Sequence, residues 1–241
     1  MAKKILSPPD EAAPIFDGFS KEMFKFLHGL KKNNNKEWFE NHRDEYEHFL
    51  REPSKALANA MGVFFREHKM PIIGNAKTSL FRINRDIRFS KDKSPYKTHI
   101  GLSFSLDGSK KEEWCGYYIG FEPVKTGKGM SVFAGGGVYM PMPPHLKRIR
   151  AKIDRDYKTL SKAIGAKSFS TIYPKGLTGE SLKRIPAGYP EDHPAAELLK
   201  MKSFLFGVDL SEDNLLSEDL PDVLGKAFLA GLPVVQFFGS L

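Results

Sequence analysis

Cysteine is nearly absent from this chain. Cys115 is the single one in 241 residues, which excludes an internal disulfide and a cysteine-based zinc site and suits a reducing, cytosolic setting. The histidines lack metal-binding spacing. None of the seven falls in a His-x-x-x-His or His-x-His pattern, so no metal site is expected, and no residue pattern names a cofactor. No uninterrupted apolar run reaches the ~18 residues of a membrane span, so no membrane partner is expected. Near the N-terminus two lysines occur without an apolar stretch of signal-peptide length, and residues 1–14 read as a flexible tail. Repeats, low-complexity blocks and a clear linker are missing too. With 41% apolar and 27% charged residues the composition is that of an ordinary globular protein, long enough for one domain with a substantial core.

What the chain does have is phenylalanine, 19 of them, so aromatic packing should dominate the core. It also has a change of period. The first third reads as helices. Met23, Phe24, Leu27 and Leu30 follow Ser20, a candidate N-cap. Asn34 with Glu37 resembles a capping box before a second helix carrying Trp38, Phe39, His42, Tyr46, Phe49 and Leu50. Pro53 suits the first turn of a third. The polar side of the second helix, Lys36, Glu37, Glu40, Arg43, Asp44 and Glu47, reads as a solvated face.

From Leu80 the pattern turns extended. Residues 80–89, 99–106, 114–121 and 130–139 predict a four-strand antiparallel meander over about residues 79–139, with a turn at Asp107-Gly108. Gly135-Gly136-Gly137 reads as a bulge or tight bend ending the sheet. Leu146 to Ile164 then predicts a long helix, Phe169 to Tyr173 a short strand and residues 177–194 a long ordered loop. Ser203 to Val208 suggests an edge strand, and Leu220 to Phe238 a helix broken by Pro233. The expected fold class is α+β: residues 15–241 form a single domain, its antiparallel sheet packed by N-terminal and C-terminal helices.

The feature with most chemical content is the stretch from Arg82 to Lys97. Arg82, Arg85, Arg88, Lys91, Lys93 and Lys97 stand against Asp86 and Asp92, a local balance of +4 in a chain of formal charge +8. Phe81, Ile83, Ile87 and Phe89 interleave the charges, so part of the stretch must pack and thereby fix them in space. A fixed cluster of this kind either binds an oxyanion, forked arginine donors and mobile lysine charge converging on it, or is neutralised by the protein's own carboxylates. Tyr96 could add a hydroxyl or a ring. Arg184, in the long loop, could close over the cluster. The expected ligands are phosphate-bearing small molecules, with or without chemistry on them; nucleic-acid backbone binding and an internal salt-bridge network are the alternatives. A metal-dependent nuclease would need carboxylates such as Asp86, Asp92, Glu112 and Glu113 to converge on one ion. His99, just past the cluster, is the histidine nearest to it.

Four stretches carry a family resemblance: Asn33-Asn-Asn-Lys-Glu-Trp-Phe39, the segment from Phe81 to Thr98, Gly135-Gly-Gly-Val-Tyr-Met-Pro141, and Leu182-Lys-Arg-Ile-Pro-Ala-Gly-Tyr189. The core from Arg88 to Lys97 is the most specific. From about residue 19 to 238 the chain resembles an uncharacterised conserved family, domain of unknown function 2461. The resemblance implies one continuous domain and carries no activity, cofactor or catalytic residue with it.

Overall fold

The computed structural model describes residues 15–106 and 115–240. The expected turn at Asp107-Gly108, the acidic pair Glu112-Glu113, Trp114 and the N-terminal tail lie outside the described residues. The N-terminal helices are α1 (Lys21–Lys32), α2 (Lys36–Asn41), α3 (Arg43–Tyr46) and α4 (Glu52–Glu67), with α5 (Ala76–Ser79) as a short turn of helix before the sheet. A single π-turn, Glu47–Arg51, joins α3 to α4. Pro53 explains it. Proline has no N–H and its ring clashes with the carbonyl four residues back. The helix absorbs it by widening one turn ahead of it, where the N–H of Glu52 reaches the Glu47 carbonyl. The third expected helix is therefore continuous with the later part of the second across a wide turn, while His42, at φ −117° and ψ 20°, separates α2 from α3.

The sheet has four antiparallel strands in the order β1 (Ile100–Ser105), β2 (Gly116–Pro123), β3 (Met130–Val138) and β4 (Phe204–Leu210). Antiparallel pairing and helices from both ends of the chain follow the expectation; strand membership does not. Residues 80–89 contribute only the isolated bridges Leu80 to Leu102 and Asn84 to Tyr96. The fourth strand is β4, an edge strand as expected for that stretch. Charge is the reason: a segment with a cation at nearly every third residue cannot bury both faces. Its N-terminal end nonetheless covers the free edge of β1, the Phe81 N–H donating to the Gly101 carbonyl at 3.0 Å. Thr178 bridges to Leu205 on the opposite edge, so neither edge is left as a bare template.

The glycine run does not end the sheet. Gly135, Gly136 and Gly137 lie within β3, paired on both sides. Gly137 has φ +115°, and a Cβ there would meet the Phe204 carbonyl oxygen at 1.9 Å, so only glycine allows β4 to approach this closely. Residues 169–173 also depart from expectation: 169–172 belong to helix α7 (Lys167–Ile172), which Tyr173 caps and which follows the long α6 (Pro143–Gly165). A short α8 (Ala196–Lys200) and α9 (Glu212–Leu216) flank β4, and α10 (Leu220–Gly239) closes the chain.

Helix α10 runs unbroken past Pro233 and forms the centre of the core. Tyr117 of β2 stacks on Phe228 at 4.2 Å and donates its hydroxyl to the Phe228 carbonyl at 2.7 Å. Tyr173 donates likewise to the Ala227 carbonyl. By length and mean hydropathy, 1.2, this helix could cross a membrane. In sequence it is interrupted by Asp222 and Lys226, and in the fold its apolar side lies against the sheet, as a core helix should.

Candidate anion-binding groove

The basic segment folds into a loop closed at its neck. The Arg85 N–H donates to the Pro95 carbonyl and the Lys97 N–H to the Ile83 carbonyl, at 2.9 and 2.8 Å. Asn34 clamps this neck from outside. Its amide donates to the Tyr96 carbonyl at 2.9 Å and accepts the Tyr96 N–H at 3.1 Å. The helix cap is therefore the next residue, Asn35, whose side chain accepts the Trp38 N–H. The Tyr96 ring stacks on Phe39 at 4.0 Å, locking the loop to α2.

Within the loop most of the positive charge is answered locally. Arg85 pairs with Asp92. Arg88 grips Asp86 with Nε and Nη2 at 3.0 and 2.7 Å, which holds that carboxyl down to about 2, hydrogen bonding by Arg88 being the main cause. Hydrogen bonds from Arg85 first, and then from Ser94, also hold Asp92 well below the usual carboxylate range. Lys93 donates to the Ile87 carbonyl at 3.0 Å, and Lys97 to the Arg82 carbonyl at 2.8 Å. Lys97 is half-buried above the Phe81 ring, and burial, then Arg82, lowers its pKa. Lys91 is exposed at the tip beside Phe89, which is 96% exposed. Of the six cations Arg82 lines the groove beside the loop, and its guanidinium has no hydrogen bond or ion pair among the described residues.

That cavity is a groove of about 720 Å³ between the N-terminal helices and the neck of the loop. One wall is Arg82, Asn84 and Tyr96 with the apolar Leu80, Ile83 and Pro95. The other is a stripe of charge along the helical rod: Lys36, Glu40, Arg43, Glu47, Arg51 and Lys55. These positions recur every three or four residues, one face of a helix. The π-turn matters here, because it takes more residues per turn than an α-helix and so keeps Arg51 and Lys55 on that face. The face expected to be merely solvated is thus a groove wall. Arg43 binds Glu40 bidentately at 2.8 and 2.7 Å, Arg51 binds Glu47 at 2.7 Å, and Lys55 binds Glu52 at 2.6 Å. These pairs are partly exposed, so they orient the cations at little energetic gain. Counting Arg82, five cations line the groove against two carboxylates.

Two tyrosines reach the same space. Tyr46 and Tyr96 both line the groove with rings buried in the core. Neither hydroxyl has a hydrogen bond among the described residues. Burial raises the pKa of each, so both stay protonated and can donate at neutral pH.

The other sequence candidates fall elsewhere. Arg184 is exposed on a loop tied to the far edge of the sheet, where the Leu182 N–H reaches the Lys200 carbonyl and the Lys202 N–H the Glu180 carbonyl. That edge lies three strand spacings of ~4.8 Å from β1, so Arg184 does not close over the groove. His99 is half-buried, and burial lowers its pKa. His42 stacks on Trp38 and meets the Trp38 carbonyl at 2.8 Å, a structural role. Among the described residues no group of three or more His, Cys, Asp or Glu could hold a metal. Lys36 and Arg43 read in the sequence as a solvated face, and Arg51 and Lys55 do not stand out there because the stripe ends before Pro53; charges continuing in step to 51 and 55, with Phe39 and Tyr46 alongside, are the available signal.

A family model described as a conserved hypothetical protein, DUF2461, matches residues 22–237. No curated protein matches this chain.

Proposed function

Because the chain belongs to this family, whose description assigns no reaction, we propose from its own geometry that the groove binds a phosphate-bearing small molecule. One observation carries the reading: five cations from three segments line one groove, and with Arg43, Arg51 and Lys55 paired to Glu40, Glu47 and Glu52, Arg82 and Lys36 remain as a surplus that an oxyanion would answer. Arg82 supplies the unpaired fork, and Lys36, without a partner among the described residues, supplies point charge. Arg43 and Arg51 arrive already aimed. A guanidinium has five donor hydrogens in a fixed plane; the two that Arg43 gives Glu40 leave three. The tyrosine hydroxyls add donors that carry no charge. A π-turn supports the same place, since such turns concentrate at functional sites. The volume is in the range of small-molecule sites.

The loop itself supports a second reading. Arg85, Arg88, Lys93 and Lys97 bind partners within their own loop, as a scaffold network would. We therefore assign ligand contact to Arg82 and Tyr96 and hairpin stabilisation to those four. Isothermal titration of the full chain with inorganic phosphate at low ionic strength tests the groove. Binding should be measurable in the millimolar range or tighter and fall about tenfold in Arg82→Ala, the loss of one charged hydrogen-bonding group. No heat of binding in the wild-type chain would remove the assignment. Steep salt dependence with oligonucleotides, exceeding that for phosphate, would move it to nucleic acid.

A further inference from the structure

We infer that the ligand is a phosphorylated sugar, free or as part of a nucleotide; this rests on the anion-binding reading of the groove. The acceptors in the groove point there. A phosphate brings mainly acceptor atoms and negative charge, and Glu40 and Glu47 repel it. Yet both carboxylates sit on the groove wall. Each makes ion-pair contacts to its arginine and retains free lone pairs, since a carboxylate has about four acceptor positions. Hydroxyl groups are the partners that satisfy carboxylates without adding charge. Tyr46 and Tyr96, which both donate and accept, suit the same groups, and so does the Asn84 amide. Leu80, Ile83 and Pro95 offer an apolar surface to the C–H faces of a sugar. The groove, at about 720 Å³, has room for much more than a phosphate. Charge then divides the work: Arg82 and Lys36 hold the phosphate, and Glu40 and Glu47 hold the hydroxyls while keeping Arg43 and Arg51 in place.

Titration of the wild-type full chain with inorganic phosphate, ribose, ribose 5-phosphate and AMP tests this. Ribose 5-phosphate should bind at least about tenfold tighter than phosphate, the worth of one or two hydrogen bonds to charged groups, and ribose alone should not bind. AMP binding tighter than ribose 5-phosphate would support a nucleotide as the source, and equal or weaker binding a free sugar phosphate. In the double variant Glu40→Gln, Glu47→Gln the sugar advantage should shrink toward one while phosphate binds equally or better. Phosphate binding as tightly as ribose 5-phosphate would overturn the inference and leave the anion reading standing, as would a sugar advantage that survives the double variant. Binding of neither anion would overturn both. The wild-type comparison stands whether or not the variant folds.

Discussion

Between Arg82 and Lys97 six cations crowd into 16 residues, and four of them engage partners in the same loop. Along Lys36 to Lys55 four cations are spread over 20 residues among carboxylates, and all four face one groove. The first stretch is conspicuous in the sequence, and four of its cations are tied to two carboxylates and two backbone carbonyls of their own loop; the second is inconspicuous, three of its cations paired with carboxylates one helical turn away yet all four sharing one wall. Density of charge does not by itself make a candidate site; a shared face does. A paired guanidinium on that face keeps donor hydrogens to spare.

Four perturbations test that contrast. The largest effect is expected from the helical wall. Arg43→Glu with Arg51→Glu should abolish phosphate binding, a loss of roughly a hundredfold or more for two charge reversals. Lys91→Glu with Lys93→Glu, at the loop tip, should change the same dissociation constant by no more than about threefold, since these side chains lie outside the groove and are screened. Equal losses in both pairs would erase the distinction. Next comes the turn that sets the wall. Pro53→Ala removes the clash that widens the rod, so Arg51 and Lys55 should rotate off the groove and affinity should fall roughly threefold to tenfold without loss of melting temperature. Unchanged affinity would show that the turn is incidental.

A smaller effect concerns the clamp between the two regions. Asn34→Ala removes two hydrogen bonds to the Tyr96 backbone and should lower stability by about 1–2 kcal/mol, read by denaturant unfolding. Last is pH. Asp86 titrates near 2 in the folded chain against about 3.9 in a peptide. A carboxyl with a lowered folded pKa contributes stability that is complete above its unfolded value and is lost as pH falls toward the folded one. The loop should therefore be indifferent to pH between about 5 and 8 and loosen between about 4 and 2, seen as rising protease cleavage between Asp86 and Asp92. Loosening near neutrality would contradict the carboxylate pairing.

Much of the fold was legible because it depends on local period. Met23 to Leu30, Ala56 to Phe65 and Leu146 to Ile164 fall in the helices α1, α4 and α6, each with an apolar face at helical spacing. Residues 100–105, 116–123 and 130–138 are strands, flanked by a glycine turn with φ +94° at Gly127. Phe169 to Tyr173 was misread since a short apolar run fits either period. The candidate groove was less legible. Arg82 and Tyr96, which line it, stand out in the sequence because they sit in the conspicuous stretch. Lys36, Arg43, Arg51 and Lys55 needed the continuity of a rod across Pro53, and Tyr46 looked like core, which its ring is.

By itself the sequence determined the class of this protein: an antiparallel sheet under amphipathic helices. Periodicity and composition are enough for that, because each acts over a few residues. Only the tertiary structure decided which charges remain open to a ligand. That outcome depends on Asn34 meeting Tyr96 across 62 positions and on the N-terminal helices facing Arg82, contacts between distant segments that no local pattern specifies.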